Sequence, residues 1–235
     1  MDIHKPKPWH SWREFLKEYA IIVVGVLTAL AAEQSAEWLH HRQLVARGEG
    51  ALQENFGRFV EYTTANGQEG RCMAQRVTEL RAILDRASAT RRIGRVGPIP
   101  QPYPHPWQID TWEAMVASGA APYLPHSKTV LYSRIAMSGV DLYNVATGEW
   151  AEWGALGSLS GAPRAFSEAE EAKARDTLAR AIEQAARVQF IAEHTVGRIK
   201  RTHLLSQKAL DDAVARGSHP TRPIAMCDPI AVSER

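Results

Sequence analysis

The stretch YAIIVVGVLTALAAEQSAEW, residues 19–38, constrains this chain most, because it begins as an uninterrupted apolar run. The 14 residues 19–32 carry no charge. A membrane-spanning helix needs about 20 predominantly apolar residues, whereas runs of about 10–14 are also typical of signal peptides and buried core helices. The run alone therefore leaves three alternatives: a retained membrane anchor, a cleaved signal peptide or a core helix of a soluble domain.

Tryptophans on both sides of the run favour the anchor. Trp9 and Trp12 precede it and Trp38 follows it, as in the aromatic belts at the two surfaces of a membrane. A helix from Trp12 to Trp38 would rise about 39 Å at ~1.5 Å per residue. That rise is close to the ~40–45 Å of a bilayer with its headgroups. We therefore predict a transmembrane helix over residues 19–38, with the lipid bilayer as its partner.

The signal-peptide alternative fits the flanking residues less well. Ala29-Leu30-Ala31 has the small-x-small form that a signal peptidase cleaves, but the preceding segment is long and contains Asp2, Glu14 and Glu18. The helical pattern also continues beyond the tripeptide as far as Gly48. These features favour a retained helix.

Small residues form one stripe along the proposed span. Gly25, Ala29, Ala32 and Ala36 follow at helical spacing, and such stripes let transmembrane helices approach closely. We therefore expect a homo-oligomer or a membrane-protein partner.

Basic residues are more frequent before the span than after it. Four precede it and two follow within 15 residues: Lys5, Lys7, Arg13 and Lys17, then Arg42 and Arg47. The positive-inside rule therefore predicts a cytoplasmic N-terminal segment over residues 1–18 and an exported C-terminal domain.

Downstream of the span the apolar pattern is almost entirely helical. One helix is expected to stop at Asn66-Gly67, and a second is marked by Met73, Val77, Leu80 and Leu84 at helical spacing. Prolines at every second position from Pro98 to Pro106 predict an extended crossover. Period-two strand patterns are missing. The pattern predicts an all-α antiparallel helical bundle over residues 39–217, followed by a C-terminal tail over residues 218–235.

Two further helices and a long last helix complete the predicted bundle. A short helix over residues 109–117 ends at Ser118-Gly119, and another covers residues 131–153. Ser167 followed by Glu170 forms a capping box that opens the last helix. That helix is expected to run to Gly217, with a kink near Gly197.

Two segments resemble a family of uncharacterised bacterial single-pass membrane proteins. They are EYAIIVVGVLTALAAEQ, with Trp38 after it, and TWEAMVASGAAPYL. The matching positions are Glu18, Val24 to Leu27, Ala29-Leu30, Trp112 and Ser118-Gly119. The Asn-Trp-Asn exit of some members is not reproduced after Gln34. The resemblance covers about a third of the chain and implies an inner-membrane anchor with a periplasmic helical domain, without implying an activity.

The sequence contains no complete catalytic, metal-binding or cofactor-binding motif. Gly157-Ser-Leu-Ser-Gly161 is similar to a nucleophile elbow, but leucine stands in the position of the serine. One Glu-x-x-His, Glu37 to His40, is too little for a di-iron bundle, which needs two and two further carboxylates. Net charge is only +2, which argues against a nucleic-acid partner.

These observations predict a non-enzymatic, membrane-anchored helical interaction or scaffold module without a cofactor. The alternative is a membrane-tethered enzyme or ligand-binding sensor, whose site would lie among the aromatic residues Trp107, Trp112, Tyr132 and Trp150.

The two cysteines give a prediction that joins fold and compartment. Cys72 opens the second predicted helix, and Cys227 lies in a proline-rich tail that would fray unless it were held. Thiols pair in the oxidising compartments to which exported domains go. We therefore predict a Cys72–Cys227 disulfide. Two unrelated buried thiols are the alternative.

Overall fold

The fold is all-α, as the sequence predicts. A computed structural model describes residues 12–102, 105–107, 109–219 and 225–233. Within them, the helices are α1 (Trp12–Thr90), α2 (Asp110–Ala117), α3 (His126–Leu156), α4 (Glu168–Arg201) and α5 (Gln207–Ser218). Four strands of two residues each pair antiparallel, β1 with β3 and β2 with β4: β1 (Arg92–Ile93), β2 (Arg95–Val96), β3 (Arg164–Ala165) and β4 (Val232–Ser233).

By its contacts the chain divides into two units, residues 1–47 and 48–235. In the described residues, one helix, α1, includes a stretch long and apolar enough to cross a membrane, and none of that stretch is buried. Ile21 is 72% exposed and Ile22 64%. The predicted span over residues 19–38 is helical throughout, and its apolar side chains are not part of a protein core.

The predicted helix stop at Asn66-Gly67 is wrong, because α1 continues through it to Thr90. A glycine inside a helix costs only about 1 kcal/mol relative to alanine. On either side of it, α1 buries large side chains such as Phe56 and Leu80, and burying each of these stabilises the fold by about 1.5–3 kcal/mol. Packing therefore outweighs the local turn signal.

The long last helix predicted from Ser167 to Gly217 is in fact two helices, α4 and α5. The predicted capping box at Ser167 and Glu170 is confirmed, and Gly197 stays inside α4. The break comes at His203, whose φ of +52° is left-handed and ends the helix. Ser206 then caps α5 by accepting a hydrogen bond from the Ala209 N–H at 3.2 Å.

The core of the second unit lies where α3 and α4 pack against the C-terminal part of α1. Its fully buried side chains include Leu80, Leu84, Trp153, Leu156, Phe166 and Ala181. On the surface of the α3–α4 pair, Arg180 binds Glu152 at 2.9 Å. The proline-rich segment before α2 has neither helix nor strand at its described residues.

One glycine marks where this crossover meets α3. The main-chain oxygen of Trp107 would lie 2.7 Å from a Cβ at Gly139. Trp107 itself is 1% exposed. The absence of a side chain at position 139 therefore lets the crossover lie directly on the helix.

The C-terminal segment is fastened to α1 by a buried arginine. Arg76 is 1% exposed, and its Nη2 donates to the main-chain oxygens of Met226, at 3.0 Å, and Asp228. Its Nη1 binds Glu79 at 2.6 Å, and that carboxylate accepts a hydrogen bond from the Ile230 N–H. A second link is added by the cysteines, since Cys72 and Cys227 stand at disulfide distance with 4.7 Å between their Cα atoms. The structure therefore confirms that the two cysteines predicted to pair lie close enough to form a disulfide.

Replacing Cys72 by serine should lower the free energy of unfolding by about 2–5 kcal/mol, because the cross-link closes a long loop in the unfolded chain. Denaturant titration of the full chain measures this loss. The Cys72→Ser/Cys227→Ser double variant is the control and should lose no more than the single variant, since either change removes the same bond. Two freely alkylated thiols in protein quenched directly from cells would contradict the disulfide.

Candidate functional site

The four aromatic residues named by the sequence do not form one site. Trp112 and Tyr132 meet edge to face with 6.1 Å between ring centroids. Trp107 packs instead against Phe59 at 5.3 Å. Trp150 is 44% exposed and contacts no aromatic ring among the described residues. The structure thus separates the predicted set into three parts: half-buried Trp112 with buried Tyr132, buried Trp107, and Trp150 at the surface.

Tyr132 is held as a hydrogen-bond donor. Its hydroxyl donates to Glu49 at 2.9 Å, and Lys128 binds the same carboxylate oxygen at 2.5 Å. Burial raises the pKa of Tyr132, and the hydrogen bond to Glu49 raises it further. The phenol therefore stays protonated, which suits a link between α1 and α3 and does not suit a catalytic base.

Trp107 belongs to a second aromatic layer beside a polar cavity of about 290 Å³. Tyr62 stacks on His105 at 5.2 Å, and His105 meets Trp107 edge to face at 5.6 Å. Burial lowers the pKa of His105 to about 4, against the opposing influence of the Glu61 carboxylate. The imidazole is therefore neutral at physiological pH and packs as an aromatic ring.

The most unusual group is a pair of buried glutamates, which the sequence analysis missed. Glu69 on α1 is 6% exposed and Glu149 on α3 is 3% exposed. The Oε1 of Glu149 has no hydrogen-bond partner among the described residues. Ionised side chains are almost never this buried unless they are paired with an opposite charge.

Burial raises the pKa of Glu149 to about 7, and the negative charge of Glu69 adds to this rise. The side chain of Trp153 acts in the opposite direction and does not cancel it. A carboxyl with this pKa carries a proton over part of the physiological range. Glu149 is thus a proton-binding group inside the bundle.

A helical pattern in the sequence could have revealed the pair. Glu149 falls in the buried row of α3 with Leu142, Ala146 and Trp153. Glu69 precedes Met73, Arg76 and Leu80 in the buried row of α1. The expected stop at Asn66-Gly67 hid the second row, because it placed Glu69 next to a turn.

The predicted membrane residues lie on α1 as helix spacing requires. Gly25, Ala29, Ala32 and Ala36 are all exposed. So are Trp12 and Trp38, and Arg42 lies over the Trp38 ring at 5.2 Å from its centroid. Trp9, the remaining predicted belt residue, lies outside the described residues.

Across the part of the chain that the structure describes, no three His, Cys, Asp or Glu side chains gather as they would around a metal ion. Comparison of the chain with protein-family models, curated proteins and solved structures gives no match. The resemblance to single-pass membrane proteins therefore stays a prediction.

The Glu149→Gln variant should remove a pH dependence of stability. The folded-state pKa of about 7 lies above the usual 4.5, so the native protein binds the extra proton between these values. Stability from this group is complete below about pH 4.5 and falls as pH rises to about 7, by about 3 kcal/mol in total. Thermal melting from pH 4 to 8 measures this slope.

The control for this experiment is Glu113→Gln, which changes an exposed glutamate on α2 and should keep the wild-type slope. A slope unchanged in Glu149→Gln would show that the buried carboxyl does not titrate in this range.

Proposed function

We propose that this protein is a single-pass, membrane-anchored helical module whose exported domain contacts a second copy or another membrane protein. The observation that carries the proposal is the exposed apolar stretch of α1. Its side chains are covered by no protein core, and contiguous exposed apolar surface of this kind is typical of membrane or protein contact sites. The exposure speaks against the alternative of a soluble core helix.

The larger number of basic residues before the span than after it supports an N-terminus in the cytoplasm. Of the four before the span, Arg13 and Lys17 lie in α1, whereas Lys5 and Lys7 lie outside the described residues. A cytoplasmic N-terminus places residues 48–235 in the exported compartment. The cysteines agree with this placement, because a pair at disulfide distance suits an oxidising compartment. We propose the bacterial inner membrane and its periplasmic side.

The domain's surface suits contact with a partner better than it suits catalysis. Exposed apolar side chains follow one side of α3: Met137, Val140, Tyr143 and Trp150. Aromatic residues and methionine are enriched at protein interfaces. The alternative, a ligand or reaction site among four aromatic residues, loses support because these residues lie in separate clusters.

Topology provides the first test. A fluorescent reporter that matures only in the cytoplasm, fused after Arg235, should stay dark, and an enzyme reporter active only after export should work. The same reporters fused after Met1 should give the opposite result. An N-terminus at Ala32 in the mature protein, read by intact mass, would instead mean a cleaved signal peptide.

Self-association of the span provides the second test. Gly25→Leu with Ala29→Leu should weaken dimers in a membrane two-hybrid assay, because added side chains keep the helix backbones apart. Ala20→Leu with Ala31→Leu is the matched control, since helix geometry places both on the opposite side of the helix. Equal signals from both double variants would show that the stripe does not mediate self-association.

A further inference from the structure

A cavity of about 320 Å³ opens at the C-terminal end of α1. Its volume lies at the lower end of the ~300–1,000 Å³ that small-molecule sites occupy. The floor is apolar and nearly fully buried, and is formed by Ile83, Ala87, Ile93 and Val96. Val232 of β4 closes one side and is 41% exposed. The floor suits a short apolar chain.

Two arginines, Arg86 and Arg92, also line the cavity. The side chain of Arg86 makes one hydrogen bond to a described residue, from Nε to the Ala82 oxygen at 3.4 Å. Neither guanidinium forms an ion pair with a described residue, and no described lining residue is acidic. Both arginines are exposed and lie at the border of the cavity, and neither of these two positive charges has a carboxylate partner among the described residues.

The acidic residues on the neighbouring elements are already engaged by other arginines. Arg91 binds Glu168 and Glu171, at 3.0 and 3.1 Å. Arg175 binds Asp85 at 2.8 Å, and Arg164 binds Glu170 at the same distance. The arginines of the cavity are thus a surplus that the neighbouring carboxylates do not neutralise.

The end of α1 opposes this charge only weakly. A helix C-terminus carries the equivalent of about half a negative charge, whereas the two guanidinium groups carry two full positive charges. The Thr90 hydroxyl lies 3.0 Å from the main-chain oxygens of both Arg86 and Arg92, and its one hydrogen can be donated to either of them. The cavity therefore favours an anion.

We propose that this cavity binds a carboxylate carried on a short apolar chain, with Arg86 and Arg92 holding the head and the apolar floor holding the chain. A guanidinium group offers parallel N–H donors that match the two oxygens of a carboxylate. The two guanidinium charges and the roughly half negative charge of the helix end sum to about +1.5, so a carboxylate monoanion leaves a small positive charge there, whereas a phosphate dianion would leave a net negative charge beside the helix end. This binding is independent of the membrane anchor and of the compartment.

Calorimetric titration of the full chain with hexanoate tests the proposal. The protein is held in nanodiscs of zwitterionic lipid, and empty nanodiscs give the blank. Saturable binding is expected, and Arg86→Gln/Arg92→Gln should weaken it roughly tenfold or more, because charge-assisted hydrogen bonds to the head are lost. Arg81→Gln/Arg95→Gln removes the same charge from exposed residues that do not line the cavity, and should bind as the wild type does.

One further variant and two further ligands distinguish binding of the charged head group from binding of the apolar chain. Val232→Phe leaves both arginines in place and should weaken binding by filling the side of the cavity. Hexanol should bind far more weakly than hexanoate. Heat uptake no greater than in empty nanodiscs, equal losses in the two double-arginine variants, or equal affinity for hexanol would overturn the proposal. Tighter binding of hexyl phosphate than of hexanoate would overturn the choice of a carboxylate.

Discussion

The hydrogen bonds of the buried Arg76 guanidinium hold the C-terminal segment, residues 225–233, against α1. The arrangement of these two parts of the domain depends on them. The guanidinium joins α1 to this segment, about 150 residues later in the chain, through two main-chain oxygens and Glu79. A charge at this depth is costly unless its donors are used. Without the C-terminal segment the Nη2 donors would lose the acceptors they have here. The segment is therefore required by the core, where Met226 and Ile230 are also buried.

The sequence predicts helix positions well where local signals and packing agree. The Ser167 capping box and the end of α2 near Ser118-Gly119 are found as expected. The sequence-based prediction is wrong where tertiary contacts determine where a helix ends. Gly67 lies inside a continuous helix, while His203 adopts the left-handed conformation that ends α4. Histidine is enriched among the few non-glycine residues in that conformation, but this preference is too weak to place the break from the sequence.

The candidate sites also divide into those that the sequence indicates and those that depend on tertiary contacts. Composition indicated the cysteine pairing, because two cysteines allow only one intramolecular bond and the tail needed an attachment. Buried polar groups were harder to see. Glu149 and Arg76 each occupy a position in an apolar row, where an isolated charged residue is easily taken for an exposed one. What distinguishes them is burial, which depends on the neighbouring helices. By contrast, exposed ion pairs such as that of Arg58 and Glu54 contribute only about 0–1 kcal/mol each.

The position of Cys227 determines when an exported domain could form the Cys72–Cys227 disulfide. Cys72 lies early in the chain and its partner is 155 residues later. On the proposed topology, the bond can close only after nearly the whole domain has crossed the membrane. Because the chain has two cysteines, no wrong intramolecular pair can form in the meantime, and closure needs an oxidant but no rearrangement of disulfides. The same late step brings the carbonyl groups of the C-terminal segment to the Nη2 donors of Arg76, whose charge is paired with Glu79 on α1 itself, so the cross-link and the hydrogen bonds of this buried guanidinium would be completed together.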